Sequence, residues 1–160
     1  MKKIKYSGKK DSDQFFLVSD ESFDFVNNHK WYLHHRGYAI TSIKDHTGKR
    51  KLVKLHRLLM NFPVGMHVDH KDGNKSNYQL NNLRVATKNQ NERNRPKRPN
   101  CSSIYKGVYW NKTYKRWYAS ITLDNKLHYL GSFTNELAAA IAYNEKAKEF
   151  HGEFAVLNSF

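Results

Sequence analysis

The chain has 160 residues and carries 28 Lys and Arg against 14 Asp and Glu, a formal net charge of +14, with 14% aromatic residues. That length suits one ordinary domain or two small ones, and the charge implies a polyanionic partner. The single cysteine, Cys101, excludes an intrachain disulfide and a cysteine-built zinc site. The basic N-terminus lacks the apolar run of a signal peptide, and no stretch approaches a membrane span.

Nucleic acid is the first candidate partner, because bases stack on aromatic rings while Lys and Arg neutralise phosphates. No membrane partner is expected. The cysteine count suits a reducing, intracellular and cytoplasmic setting.

Residues 1–60 alternate aromatic and polar groups. Strands are expected over 14–20, 36–43 and 49–55, separated by turn signals at Arg36-Gly37 and His46-Thr47-Gly48. Residues 56–62 read as a short helix that stops before Pro63.

A strand follows over 67–70, then a turn at Lys71-Asp72-Gly73-Asn74, with Gly73 and Asn74 able to take positive φ. Residues 75–81 read as loop. Residues 82–87 read as a second strand with Leu83 and Val85 on one face, and 88–94 as one or two helical turns with Thr87 as N-cap. Pro96 and Pro99 mark residues 93–103 as a linker. Arg95, Lys97 and Arg98 in it suit phosphate contacts, together with Arg93 and Lys106.

Residues 104–158 predict three strands and a helix. In the second strand Arg116, Tyr118, Ser120 and Thr122 alternate with Trp117, Ala119, Ile121 and Leu123. The helix is expected from about Asn135 to His151, with Thr134 as N-cap and Gly152 just past its end. Ala139, Tyr143, Ala147 and Phe150 form its buried stripe. One sheet face would thus be covered, and the other left polar and cationic.

The chemistry concentrates at Asp69-His70, Asn82 and Asn91. Hydrolysis of a phosphodiester needs an activated water, a neutralised phosphate and help for the leaving oxygen; a hard divalent cation supplies the last two. Asp69 offers a carboxylate oxygen and Asn91 an amide oxygen, the ligand type that Mg²⁺ or Mn²⁺ takes. His70 suits proton transfer at neutral pH, and Asn82 could orient its ring. Asn82 and Asn91 also suit turns or caps, and Asn89 and Asn94 compete with Asn91. Adjacent strand residues point to opposite faces, so Asp69 and His70 serving one centre demands a bend or bulge.

Residues 52–94, with KLHRLLMNFP and DHKDGNKSNYQLNNLRVAT, resemble the homing-endonuclease branch of the H-N-H nucleases, which carry a ββα-metal core. The resemblance implies His70 as general base, Asp69 and Asn91 as metal ligands and Asn82 as the residue orienting the base. His56 and His67 are read as structural or phosphate-contacting. Residues 14–50, with Trp31 and Gly37-Tyr38-Ala39, weakly resemble the module that often precedes this nuclease.

Residues 104–158 resemble the ethylene-response-factor (Apetala-type) DNA-binding domain, through Tyr105-Lys106-Gly107-Val108, Trp117, Tyr129-Leu130-Gly131 and the alanine-rich helix. The resemblance implies DNA contact by Lys106, Tyr109, Arg116, Ser120, Thr122 and Tyr129. Lys112, Lys115 and Lys126 suit phosphate. Plant members carry arginines where this chain has Tyr109, Thr122 and Leu127, so their target sequence does not transfer.

The expected protein is an α+β chain: an N-terminal β-rich module (1–51), a nuclease core (52–94), a linker (95–103) and a three-stranded antiparallel sheet packed on one helix (104–160). The expected function is metal-dependent cleavage of double-stranded DNA by a monomer; a single metal site per chain suggests nicking unless two molecules meet. The rival reading is a DNA-binding regulator with a decayed nuclease domain.

Overall fold

The computed structural model describes residues 1–8, 13–97 and 99–160. The chain divides into two units, Met1–Lys88 and Asn89–Phe160. Both mix helices with antiparallel-rich sheets, and the fold class is α+β. Among the described residues no helix is long and apolar enough to cross a membrane.

The first unit contains β1 (Lys2–Lys5), β2 (Phe15–Val18), α1 (Asp20–Asn27), β3 (Tyr32–Leu33), β4 (Ala39–Lys44), β5 (Arg50–Lys54), α2 (Leu55–Leu59), β6 (His67–His70), β7 (Asn77–Tyr78) and β8 (Leu83–Ala86). Its sheets have the orders β1-β2-β7, β3-β4-β5 and β6-β8. Phe16, Val18, Val26, Trp31, Ala39, Leu55 and Tyr78 are fully buried in one core. Trp31 satisfies its indole N–H on the Val26 carbonyl at 2.8 Å, and Tyr78 accepts from the Ala39 N–H at 2.6 Å. Burying one such side chain stabilises by roughly 1.5–3 kcal/mol, so this aromatic core anchors the unit.

Three elements here depart from the sequence expectation. Residues 75–81 are not loop throughout: β7 pairs in parallel with β2 and plants Tyr78 in the core. Helix α1 follows β2 directly, over residues to which, beyond Asp20, no element was assigned from sequence, and β1 adds an edge strand ahead of it. Along β8, Leu83 is buried but Val85 is 39% exposed, while Arg84 is buried. Simple alternation fails there because a charged side chain is drawn inside by a partner.

Helix α3 (Lys88–Arg93) begins at the last residue of the first unit. The second unit continues with β9 (Val108–Asn111), β10 (Arg116–Leu123), β11 (Lys126–Phe133) and α4 (Glu136–His151). The strand order is β11-β10-β9, all antiparallel. Ala119 and Ile121 of β10 pack against Ala139, Ala140, Tyr143 and Ala147 of α4. Those alanines are what allow helix and sheet to approach. A register shift between Ala119 and Ser120 leaves Leu130 as the extra residue of β11, and Leu130 packs against both core clusters.

The N-cap of α4 is Asn135 rather than Thr134, its side chain accepting from the Leu137 N–H at 2.7 Å. Gly152 ends the helix at φ 52°. Gly107, at φ +78°, lies under Tyr143: a Cβ there would clash with the ring. Asn158 closes the unit by pairing with both main-chain groups of Lys106, at 2.7 and 3.1 Å.

Candidate functional site

Strand β6 pairs with β8 in continuous antiparallel register, His67↔Ala86, Val68↔Val85, Asp69↔Arg84 and His70↔Leu83. The bend expected at Asp69-His70 is absent, because this ladder satisfies the backbone of both residues without interruption. Their side chains therefore diverge. Both are nonetheless buried, at 7% and 5% exposure, so each face of the hairpin hides one member of the pair.

On one face, the Asp69 Oδ2 atom accepts from Arg84 Nε and Nη2 at 3.0 and 2.9 Å. A buried guanidinium on a carboxylate is costly to disrupt from either side. Arg84 is the residue that sequence reasoning missed; its only signal would have been the hairpin register.

On the other face, the His70 ring lies 5.3 Å from His56, 5.2 Å from Tyr78 and 6.1 Å from Tyr38, centroid to centroid. His56 comes from α2, stacks on Tyr78 and is buried, whereas His67 is exposed at the start of β6. Burial pushes the His70 imidazole down to about 4, against the upward pull of Asp72 and Asp69. Burial, with smaller contributions from His70, Lys54 and Arg57, lowers His56 to about 3. Both rings are thus neutral at pH 7, the form that can accept a proton.

The loop after His70 is tied by its own side chains. Asn82 Oδ1 accepts from the Asp72 N–H at 3.1 Å, and Asn82 Nδ2 donates to Asp72 Oδ1 and the Asn77 carbonyl, both at 2.9 Å. Asn77 Nδ2 donates to the other Asp72 oxygen at 2.7 Å. Burial raises the Asp72 carboxyl, but these hydrogen bonds and the Asn74 N–H outweigh it and hold it below its usual range. Asn82 was expected to orient the His70 ring, but its side-chain hydrogen bonds go to Asp72 and Asn77, so it fixes the chain leaving His70 instead; its carbonyl also accepts from the Lys71 N–H at 2.8 Å.

Asp69, His70 and Asn82 therefore share one hairpin, whereas Asn91 lies half-buried on α3 at the start of the second unit. Among the described residues no cluster of three His, Cys, Asp or Glu could enclose a metal. The donor chemistry still fits a hard cation, since Asp69 is an oxygen ligand and Mg²⁺ or Mn²⁺ retains several waters. The fit carries one condition: Arg84 must yield Asp69 Oδ2.

In the second unit, Tyr109, Tyr118 and Tyr129 form a continuous ring contact across all three strands, at 5.6 and 5.3 Å, on the face away from α4. Arg116 and Thr122 are exposed beside them and Ser120 is half-buried. Lys112, Lys115 and Lys126 are exposed at the turns and edges, Arg95 is exposed and Lys97 half-buried. Arg98 lies outside the described residues. Lys106 departs from expectation. Its Nζ donates to the Arg93 and Arg95 carbonyls at 2.7 and 2.6 Å, and burial lowers it to about 8. It anchors the segment after α3 instead of offering its charge to phosphate.

A family model for the HNH endonuclease matches residues 61–93, which span the hairpin and α3. The chain is 35% identical over 152 residues to an uncharacterized HNH endonuclease of Acanthamoeba polyphaga mimivirus, covering 90% of this chain and 74% of that protein. It is 34% identical over 94 residues to Protein 3.8 of Escherichia phage T7, covering 58% of this chain and 76% of that protein. A relative matched over most of both lengths, and a nuclease motif falling on the Asp69-His70 hairpin, place the chain in the HNH endonuclease family.

Proposed function

We propose that this nuclease is a divalent-metal-dependent DNA endonuclease, homing-endonuclease-like, that hydrolyses one strand of double-stranded DNA per catalytic centre. The observation that carries the reading is His70, buried on a hairpin tied by Asn82 inside the nuclease motif. HNH nucleases generally use a divalent metal, and here Asp69 and Asn91 would hold Mg²⁺ or Mn²⁺. The bound cation would neutralise the scissile phosphate and stabilise the leaving oxygen.

The chain's own residues supply the rest. The His70 imidazole takes the proton of the attacking water, a role worth roughly 10²–10⁴ in rate. Asn82 holds the loop that fixes the backbone carrying His70. Arg84 pairs with Asp69 and would have to release its Oδ2 atom for Asp69 to hold a cation. With His70 only 5% exposed, DNA engagement must admit water to the cage of Tyr38, His56 and Tyr78.

Four functional segments follow on this reading: the β-rich module 1–51, the nuclease core 52–94, the linker 95–103 and an ethylene-response-factor-like domain over 104–160. The last would supply DNA affinity, supported by the uncovered aromatic sheet face and its exposed cations. The protein would work as a monomer inside the cell, a host cell where a phage encodes it. Incubation with supercoiled plasmid tests the activity: open circles should accumulate with Mg²⁺ and not with EDTA. DNA binding without any cutting would instead establish a regulator with a decayed nuclease.

A further inference from the structure

The sheet face opposite α4 carries more aromatic surface than folding requires. Tyr109, Tyr114 and Tyr129 are 40%, 68% and 58% exposed, and Leu127 is 69% exposed. Tyr118 links them, with Tyr114 nearly parallel to it at 16° and 6.4 Å. None of these rings belongs to the clusters packed on α4. A contiguous exposed aromatic patch of this kind marks a contact surface.

The surrounding charge selects the partner. Strands β9 to β11 and their turns carry Lys112, Lys115, Arg116 and Lys126 against a single acid, Asp124. Asp124 is itself paired with Arg93 at 3.1 Å. The partner is therefore an anion with flat, apolar faces. The face continues into a cleft of about 880 Å³ whose lining includes Tyr109, Thr122 and Leu127 and the cations Arg93, Arg95 and Lys97, with Glu92 and Asp124 paired to the two arginines. Lys106 on the Arg93 and Arg95 carbonyls holds that segment in place. A cleft of this volume matches a small number of nucleotides.

A duplex hides base faces within its stack and shows only edges, which arginines read best. Arg116 is the one arginine in these strands, and its Nη2 donates to the Ser132 carbonyl at 3.3 Å. An unpaired strand exposes the base faces that tyrosine rings can cover, with little sequence preference. From these features we infer that the tyrosine face and the adjoining cleft bind single-stranded DNA, holding an unpaired stretch by stacking and its phosphates by the flanking cations. This rests on the reading that the second unit binds DNA, and names the form of DNA it holds.

The test uses the full chain in EDTA, a labelled DNA oligonucleotide, its duplex and the matching RNA, at one salt concentration. The single strand should bind about tenfold tighter than the duplex and quench tyrosine and tryptophan fluorescence. Tyr114→Leu and Tyr129→Leu should each weaken single-strand binding roughly 5- to 150-fold, and Tyr129→Phe should keep it. Far-ultraviolet circular dichroism checks that each variant is folded. Tighter duplex binding that the leucine variants weaken would overturn the single-strand inference and leave the unit a DNA-binding one. Tighter RNA binding would overturn it as a DNA site. Leucine variants that bind every probe like the wild type would sink both readings.

Discussion

Arg84 and Asp69 form a buried ion pair, and Asp69 is the proposed metal ligand. Removing the guanidinium strands a buried carboxylate, so Arg84→Ala should lower unfolding free energy by about 3–5 kcal/mol in EDTA. Urea titration in EDTA and in Mn²⁺ would measure this, and Mn²⁺ should recover part of the loss by replacing the missing positive charge. Loss with no metal-dependent recovery would count against Asp69 as a ligand. His56 sets a pH dependence of the same unit. Its folded value of about 3 lies below the ordinary 6.5, so folding favours the neutral ring. The resulting stability is complete above pH 6.5 and is lost as pH falls toward 3, at up to about 1.4 kcal/mol per pH unit. His56→Phe keeps a ring without a titrating group and should reduce the fall of the urea midpoint between pH 6.5 and 4.5 by about half, the remainder coming from His70, whose folded value is also lowered, to about 4. Asp69 and His70 were legible in the sequence because spacing and flanking residues agree. Arg84 was not, because the register across the 71–82 loop decides which residue faces Asp69.

At the scale of elements, the sheet-and-helix unit was readable because its periodicities are local. Alternation in β10 assigned Ala119 and Ile121 to the helix side, and both are buried there. The first unit was harder, since its key contacts join distant segments. Tyr78 reaches the core only because β7 pairs with β2, a contact no local pattern announces. Helix α1 buries only Ser22 and Val26, too few apolar positions for a period to show. Gly107 gives the clearest element-scale prediction. Alanine there meets the Tyr143 ring and takes an unfavourable positive φ, so Gly107→Ala should cost about 2–4 kcal/mol. Thermal unfolding followed by tryptophan fluorescence would report it; an unchanged midpoint would mean Tyr143 does not lie over Gly107.

For the whole molecule, a net charge of +14 predicts that phosphate neutralisation supplies a large share of DNA affinity. Lys112, Lys115 and Lys126 are exposed, whereas Lys106 is committed to main-chain carbonyls. Replacing the three exposed lysines by alanine should reduce the slope of log affinity against log salt by about 2–3, and Lys106→Ala should lower stability more than that slope. A slope unchanged by the triple substitution would remove these lysines from the DNA contact.

In the proposed mechanism His70 moves the proton during strand cleavage. Single-turnover cleavage of supercoiled plasmid by wild type and His70→Ala, in Mg²⁺, with DNA affinity measured separately in EDTA, tests it most directly. His70→Ala should cut at least about 100-fold more slowly and bind DNA as tightly as wild type. Cleavage by His70→Ala at the wild-type rate would contradict the assignment.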